Sequence, residues 1–165
     1  MVCPSSGKTS INQTINIEVN DIPRLEFTPI EFVATPYGKV TKPEAVNLIK
    51  SWLQNKKSVF ASPYDIETLD KYTTGLYYQG RLDSLNWLKE NNAYYSYGKP
   101  TVEASSRFKP QGVQVVIDVR VYQTTTLLVN GKIDQSKSSP DDGIYRYTLS
   151  YDNGSWKIAD SQKLP

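Results

Sequence analysis

Histidine is absent from this 165-residue sequence. Histidine is the side chain best suited to acid-base work at neutral pH and the commonest protein ligand of metals such as zinc. Its absence excludes Ser-His and Cys-His nucleophilic catalysis and histidine-ligated zinc sites. We therefore expect no catalytic residue, no metal site and no cofactor in this chain.

Cysteine, net charge and long apolar runs are also scarce. The one cysteine, Cys3, excludes an internal disulfide bond. The 19 basic and 17 acidic residues leave a net charge of +2, too small to indicate a nucleic-acid partner. No apolar run is long enough to cross a membrane, and there is no secretion signal. Either the protein is cytoplasmic or, as we expect, this is a soluble part of a longer chain, tied to a membrane only through an anchor outside this sequence.

Residues 1–40 have the composition of an extended tail or linker, rich in Ser, Gly and Thr at first and interrupted by proline later. Apolar and polar residues alternate near residues 14–19, so a short edge strand is the alternative to a flexible linker there. A single domain is predicted over residues 41–165.

A helix is predicted to begin at Thr41, because Thr41 and Glu44 have the spacing of a capping box. Apolar residues then follow at helical spacing. They are Ala45, Leu48, Ile49, Trp52, Leu53, Val59 and Phe60.

Lys56 lies within this apolar stripe. In one interpretation its stem packs on the stripe and its ammonium reaches water. In the other, the ammonium is buried and held by a carboxylate or by the anionic end of a ligand.

Two further short helices are predicted. Ser62 and Pro63 suit the cap and first turn of the second helix, which Gly75 ends. Gly80 marks a break, and the third helix covers residues 82–91.

From Ala93 onwards the pattern changes to the alternation of strands. The longest strand has one apolar face, formed by Val113, Val115, Ile117, Val119 and Val121. A turn is predicted at residues 109–112 and a loop at residues 134–143. Asp118 and Arg120 fall on the face opposite the apolar one, where we expect them to form a solvated pair of little energetic value.

The last hairpin has the clearest pattern. Asn153 and Gly154 supply the two positive-φ residues of a type I′ turn. The resulting register pairs Tyr151 with Trp156 and Leu149 with Ile158 on the face that we expect to be inward, and Ser150 with Lys157 and Thr148 with Ala159 on the other.

Helices followed by long antiparallel strands predict an α+β domain. Our preferred architecture is a curved antiparallel sheet around three short helices, the cone of the nuclear-transport-factor-2-like superfamily.

Three groups of segments together resemble a known family: residues 48–56 (LIKSWLQNK); 73–77 (TTGLY) with 87–97 (WLKENNAYYSY); and 145–147 (YRY) with 156–160 (WKIAD). They are similar to the C-terminal domain of cyanobacterial and plastid division proteins. Residues 87–95 (WLKENNAYY), with 130–134 (NGKID), are most similar to copies at the C-terminal end of cyanobacterial serine/threonine kinases.

The resemblance implies a non-catalytic interaction domain on the extracytoplasmic side of a membrane (periplasm or thylakoid lumen). In the plastid division proteins this domain binds the tail of a partner membrane protein. A protein or peptide partner, or a sensed ligand, is therefore expected here. The alternative is a small cone-fold lyase or isomerase with Asp or Tyr acid-base groups.

The candidate binding site combines Lys56 with four tyrosines on strands expected to curve around the first helix. We predict that the Lys56 stem lines a pocket whose mouth Tyr95, Tyr97, Tyr145 and Tyr147 form. The ammonium would then meet an anionic group, such as the C-terminal carboxylate of a peptide.

Overall fold

The computed structural model describes residues 38–165. The tail over residues 1–37, with the edge strand predicted near 14–19, lies outside the described residues. Three helices precede five strands in this part of the chain. The elements are α1 (Lys42–Val59), α2 (Ile66–Tyr72), α3 (Gly75–Glu90), β1 (Ala93–Tyr97), β2 (Thr101–Gln111), β3 (Gln114–Val129), β4 (Lys132–Asp152) and β5 (Ser155–Lys163).

The capping box at the start of α1 is confirmed. The backbone N–H of Thr41 donates to Glu44 Oε2 at 2.7 Å, and the N–H of Glu44 donates to Thr41 Oγ1 at 3.4 Å. These bonds satisfy two of the backbone donors that a helix start leaves free. Ala45, Ile49 and Trp52 are buried, as the stripe predicts.

The predicted bounds of the next two helices are wrong. Asp65, not Ser62, caps α2, accepting from Thr68 N at 3.0 Å. Gly75 opens α3 rather than closing α2, and Gly80 lies inside α3 without breaking it. A single interior glycine costs a helix only about 1 kcal/mol, and burial of the apolar face of α3 outweighs that cost.

β3 is the centre of an antiparallel sheet in which β1 and β2 pair with one side of β3 and β4 with the other. β5 then pairs with β4. The sheet curves around the helices, which confirms the predicted α+β class and cone. The apolar face of β3 is also confirmed, with Val115, Ile117, Val119 and Val121 each no more than 2% exposed.

Two connections differ from the predictions. Lys109 and Pro110 belong to β2, and the turn consists of Gly112 and Val113 alone, which leaves Val113 49% exposed and outside the strand. The predicted loop at 134–143 is part of β4. A long irregularity separates the pair Leu127–Asp134 from the pair Thr125–Ser139, and this insertion hid the alternation that marks a strand.

The last hairpin has the predicted turn, with φ of 49° at Asn153 and 83° at Gly154. The pairs Tyr151–Trp156, Ser150–Lys157 and Leu149–Ile158 are confirmed. The pair of Thr148 with Ala159 is wrong, because a bulge at Ala159 pairs Thr148 with Asp160 instead.

Lys157 is buried at 7% exposure rather than solvated, with Nζ 3.6 Å from Asp70 of α2. α2 lies beside the edge of β5, since Thr73 forms a bridge with Ile158. This neighbour could not be read from the hairpin sequence.

Candidate functional site

Three of the five predicted site residues line one cavity of about 620 Å³. Lys56 comes from the last turn of α1, and Tyr95 and Tyr97 come from one face of β1. The cavity is bounded on its other sides by α3, β3, β4 and β5. It therefore lies where the helices meet the inner face of the sheet.

Tyr145 and Tyr147 are not lining residues of this cavity. Tyr147 is 4% exposed and belongs to the core, and its ring packs against Tyr145 with centroids 6.3 Å apart. The Tyr145 hydroxyl donates to Asp141, which does line the cavity. Tyr145 thus supports the wall, and Tyr147 supports Tyr145.

The Lys56 ammonium lies over an aromatic ring. Its Nζ is 4.4 Å from the centroid of Tyr97, whose ring stacks on Tyr95 at 5.7 Å. A ring face attracts a cation but leaves its hydrogen-bonding capacity unused. Within residues 38–165, Lys56 Nζ forms neither a hydrogen bond nor an ion pair. An ammonium in this state can donate to an anionic guest.

Burial lowers the pKa of Lys56 from its ordinary value of 10.5 to about 8. The nearby Arg81 guanidinium lowers it further, and the Asp141 carboxylate opposes both. Lys56 is therefore mostly charged at neutral pH, and it loses its proton as the pH rises through about 8.

Three more basic side chains line the cavity: Arg81 of α3, Lys137 of β4 and Lys163 of β5. Asp141 is the single carboxylate among the lining residues. It is held by the Tyr145 hydroxyl and by Lys163 Nζ at 3.1 Å. Because four basic groups face one acidic group, the cavity favours anions.

Gly143 makes room for Lys163. A Cβ on Gly143 would lie 2.6 Å from the Lys163 Cε atom. Any residue other than glycine at this position would therefore force the Lys163 side chain to move. The Lys163 stem can therefore cross Gly143 and reach Asp141. A glycine in a predicted loop gave no sign of this role.

Aromatic rings form the remaining walls. Phe60 meets Tyr95 edge to face at 6.5 Å, and Trp87 is 42% exposed with Lys137 Nζ 5.4 Å from its ring centroid. Burial raises the pKa of Tyr97 well above its usual range. Tyr97 therefore stays neutral and offers its ring face rather than an acid-base group.

Sequence reasoning missed Arg81, Trp87, Asp141 and Lys163 as site residues. Arg81 follows the glycine that was interpreted as a helix break, and Asp141 lies in the predicted loop. Their convergence depends on pairing in the sheet, which no local pattern records.

Asp118 and Arg120 do not pair with each other. Asp118 accepts from Arg146 Nε at 2.9 Å and from its guanidinium Nη2 at 3.0 Å, whereas Arg120 pairs with Asp142 at 3.1 Å. The predicted pair is wrong because each residue finds its partner on β4: Arg146 lies directly opposite Asp118, and Asp142 is the diagonal neighbour of Arg120.

Asp118 is also buried rather than solvated, at 6% exposure. The bonds from Arg146 hold the pKa of this carboxyl below its usual range, although burial alone would raise it. Asp118 is therefore ionised at neutral pH, and its chemistry is that of an ion-pair partner rather than of a general acid.

No group of three or more Cys, Asp or Glu side chains in residues 38–165 is arranged to hold a metal ion. None of the helices of this part has both the length and the apolar character needed to cross a bilayer.

The three helices and the curved antiparallel sheet define an α+β domain with a cone-like fold. The family described as "ARC6-like, IMS domain" matches residues 45–159, so the chain belongs to that family. This is the resemblance noted in the sequence, and it is confirmed.

One solved structure shares the fold, and two others were matched at lower similarity. The intermembrane space region of the chloroplast protein ARC6 is 20% identical, with a TM-score of 0.59 over 77% of this chain and 98% of that chain. The putative transfer protein TraH from the Gram-positive conjugative plasmid pIP501 is 14% identical (TM-score 0.42; 78% and 97% covered). The beta subunit of benzoate 1,2-dioxygenase from Burkholderia mallei is 16% identical (TM-score 0.44; 75% and 89% covered). No curated protein matches this chain.

Proposed function

We propose that this chain is a non-catalytic interaction domain that holds an anionic group of a peptide or protein partner in the Lys56 cavity. The observation that carries the proposal is the Lys56 ammonium, which has no hydrogen-bond or ion-pair partner within residues 38–165 and lies in a cavity that four basic residues and one acidic residue of this range line. A peptide's C-terminal carboxylate matches this charge, and the aromatic walls suit the apolar part of its last residue.

The domain membership supports the same proposal. The chain belongs to the family of ARC6-like IMS domains, and the solved relative is described as an intermembrane space region. We propose that this domain likewise works on the extracytoplasmic side of a membrane, as part of a division protein or a serine/threonine kinase of cyanobacterial type.

No observation favours the lyase or isomerase alternative. The pKa values of Tyr97 and Tyr145 are raised mainly by burial, so both phenols stay protonated at neutral pH and are not available as bases. Asp118 is ionised and bound to Arg146.

The test uses pools of random octapeptides in two forms, one with a free C-terminal carboxylate and one amidated. Affinity selection should retain free-acid peptides and pass over the amidated pool. Lys56→Met keeps most of the stem and removes the charge, so binding of the retained peptides should weaken by about tenfold or more, as for loss of a charge-assisted contact. Lys57→Met, one position along the same helix and outside this cavity, is the matched control.

Equal retention of the two pools would exclude carboxylate recognition. If Lys56→Met and Lys57→Met bind the retained peptides equally, the Lys56 cavity is not the site.

A further inference from the structure

Beyond the bulge at Ala159, the backbone edge of β5 over residues 160–163 has no strand beside it among the described residues. The N–H of Leu164 donates to the Ile144 carbonyl at 2.8 Å, so Leu164 faces β4. Backbone groups alternate along a strand, so those of Lys163 and Ser161 face away from β4. On the side of β5 that faces away from β4, the described residues make a backbone contact at Ile158. The Ile158 carbonyl accepts a hydrogen bond from Thr74 N at 2.9 Å.

The segment of Thr73 and Thr74 pairs with β5 at Ile158 alone and then turns away from the strand. Thr73 forms a parallel bridge with Ile158. Gly75 then has φ of +61°, a left-handed value that turns the chain away into α3. The short parallel strand ends there, and the edge beyond Ile158 has no partner among the described residues.

The uncovered edge runs beside two cavities. Ala159 and Ser161 line a groove of about 600 Å³ between β5 and α3, whose other wall includes Leu76. Arg81 and Ser84 line both this groove and the Lys56 cavity. Lys163, at the end of the edge, also lines the Lys56 cavity. One extended segment can therefore follow the edge and end among the basic side chains.

We propose that the partner binds as an additional strand on the β5 edge, parallel to β5, with its carboxyl end in the Lys56 cavity. This inference rests on the proposed function and adds the mode of binding. The parallel direction continues the line of Thr73 and Thr74, and it carries the carboxyl end towards Lys163. Main-chain hydrogen bonds then supply affinity, and cavities select side chains, as in other strand additions.

Leu76 supplies the apolar contact. Its side chain is 91% exposed at the start of α3, on the wall of the groove. It precedes Arg81 by five residues, about 7.5 Å along a helix axis, a distance that two to three extended residues span. The partner therefore carries a large apolar residue about two to three positions before its last residue.

Two other stretches of sheet edge without a neighbouring strand among the described residues are less suited to pairing with an added strand. β4 carries Pro140, which has no N–H to donate, beside the irregularity at residues 134–139. β2 carries Pro110 and a register shift between Ala104 and Phe108. Proline and bulges are features that protect edges from pairing, and residues 160–163 of β5 contain neither.

The first test is amide hydrogen exchange on the wild-type domain with a retained free-acid octapeptide. The N–H groups of Ser161 and Lys163 should exchange at least tenfold more slowly when the peptide is bound. Leu164 is the internal control, because it already donates to Ile144. Unchanged exchange at Ser161 and Lys163 in a saturated complex would overturn strand addition.

The second test compares Ser161→Pro, which removes the outward N–H, with Ser161→Ala, which keeps it. The proline variant should bind at least tenfold more weakly than the alanine variant. If Ser161→Pro binds normally while Lys56→Met does not, carboxylate recognition stands and strand addition is wrong. If Ser161→Pro does not fold, the exchange experiment decides alone.

A second copy of this chain is the other candidate occupant of the edge. In that case Ser161 and Lys163 would gain protection with rising protein concentration and without peptide, which would overturn the proposal.

Discussion

The ammonium of Lys56 lies 4.4 Å from the ring centroid of Tyr97, a contact between the last turn of α1 and the end of β1. The ring face stabilises the charge, while burial in the same place lowers the pKa of the amine to about 8. Lys56 therefore combines two properties that an anion site needs: it is charged at neutral pH, and its hydrogen-bond donors have no acceptor among the described residues.

The first prediction concerns stability and pH. The pKa of folded Lys56, about 8, lies below its ordinary value of 10.5, so the unfolded chain binds more protons between these two values. The free energy of unfolding that depends on Lys56 should then rise with pH across this window, by up to about 3 kcal/mol. Denaturant unfolding from pH 7.5 to 9.5 measures the rise, and comparison with the Lys56→Met variant separates it from the ionisation of unfolded-chain tyrosines, which begins near the upper limit.

Lys56→Met should remove this rise, so the difference in stability between wild type and variant should change with pH. A constant difference from pH 7.5 to 9.5 would show that Lys56 titrates as it does in water. Lys57→Met is again the control, since Lys57 is an exposed residue of the same helix.

The second prediction concerns Asp141. Its carboxylate raises the pKa of Lys56 and neutralises part of the basic cavity. Asp141→Asn should therefore lower the pKa of Lys56, measured by NMR titration of its side chain. At pH 6.5, where Lys56 stays protonated, the variant should bind free-acid peptides more tightly, on the order of fivefold for a partly exposed charge.

Asp142→Asn is the matched control for Asp141→Asn. Asp142 is the next residue of β4, and successive residues of a strand point to opposite faces. Its partner is Arg120 rather than any residue of the cavity. A fall in the pKa of Lys56 in both variants would indicate a general charge effect instead of a local one.

The third prediction compares two arginines on the outer face of the sheet. Arg146 donates two hydrogen bonds to Asp118, which is 6% exposed, whereas the side chains of Arg120 and Asp142 are both at least half exposed. Arg146→Ala should cost about 2–3 kcal/mol of unfolding free energy, because it removes bonds to a buried charge. Arg120→Ala should cost less than about 1 kcal/mol.

The stability that depends on this pair also rises with pH, as for Lys56, because both pKa values are lowered in the fold, but it does so in an acidic window. The pKa of Asp118 is lowered in the fold, so its stabilising effect is present above the unfolded value of 3.8 and is lost as pH falls below it. Equal costs for the two arginine variants at pH 7, in denaturant unfolding, would contradict the burial of Asp118.

The fourth prediction concerns the last hairpin. Leu149 and Ile158 are fully buried partners, but Trp156 is only half-buried and donates from its indole N–H to Gly38 at 2.7 Å. Leu149→Ala should cost about 3–4 kcal/mol, the usual cost of a cavity in a core. Trp156→Ala should cost about 1–2 kcal/mol, since part of the ring stays in water. Thermal and denaturant unfolding measure both costs. A larger cost for Trp156→Ala than for Leu149→Ala would show that the main apolar contacts of the hairpin lie near its turn rather than at Leu149 and Ile158.

Local patterns in the sequence were enough for the elements that short-range chemistry controls. The capping box at Thr41 and Glu44, the positive-φ turn at Asn153 and Gly154, and the alternating face of β3 were all predicted correctly. Each depends on residues a few positions apart, whose backbone preferences and periodicity act within one element. The α+β class follows from the order of these elements.

Tertiary structure alone decided the rest. The bulge at Ala159, the long irregularity in β4 and the continuation of α3 through Gly80 all depend on what packs beside them. The sequence predicted that Lys56, Tyr95 and Tyr97 line one pocket, and they do, because a lysine in an apolar stripe and paired tyrosines on one face are visible locally. The approach of Arg81, Asp141 and Lys163 to Lys56 required three further elements to converge. Contacts between residues far apart in the chain leave no periodic signal, so only the fold reveals the charge of the cavity and the free edge of β5.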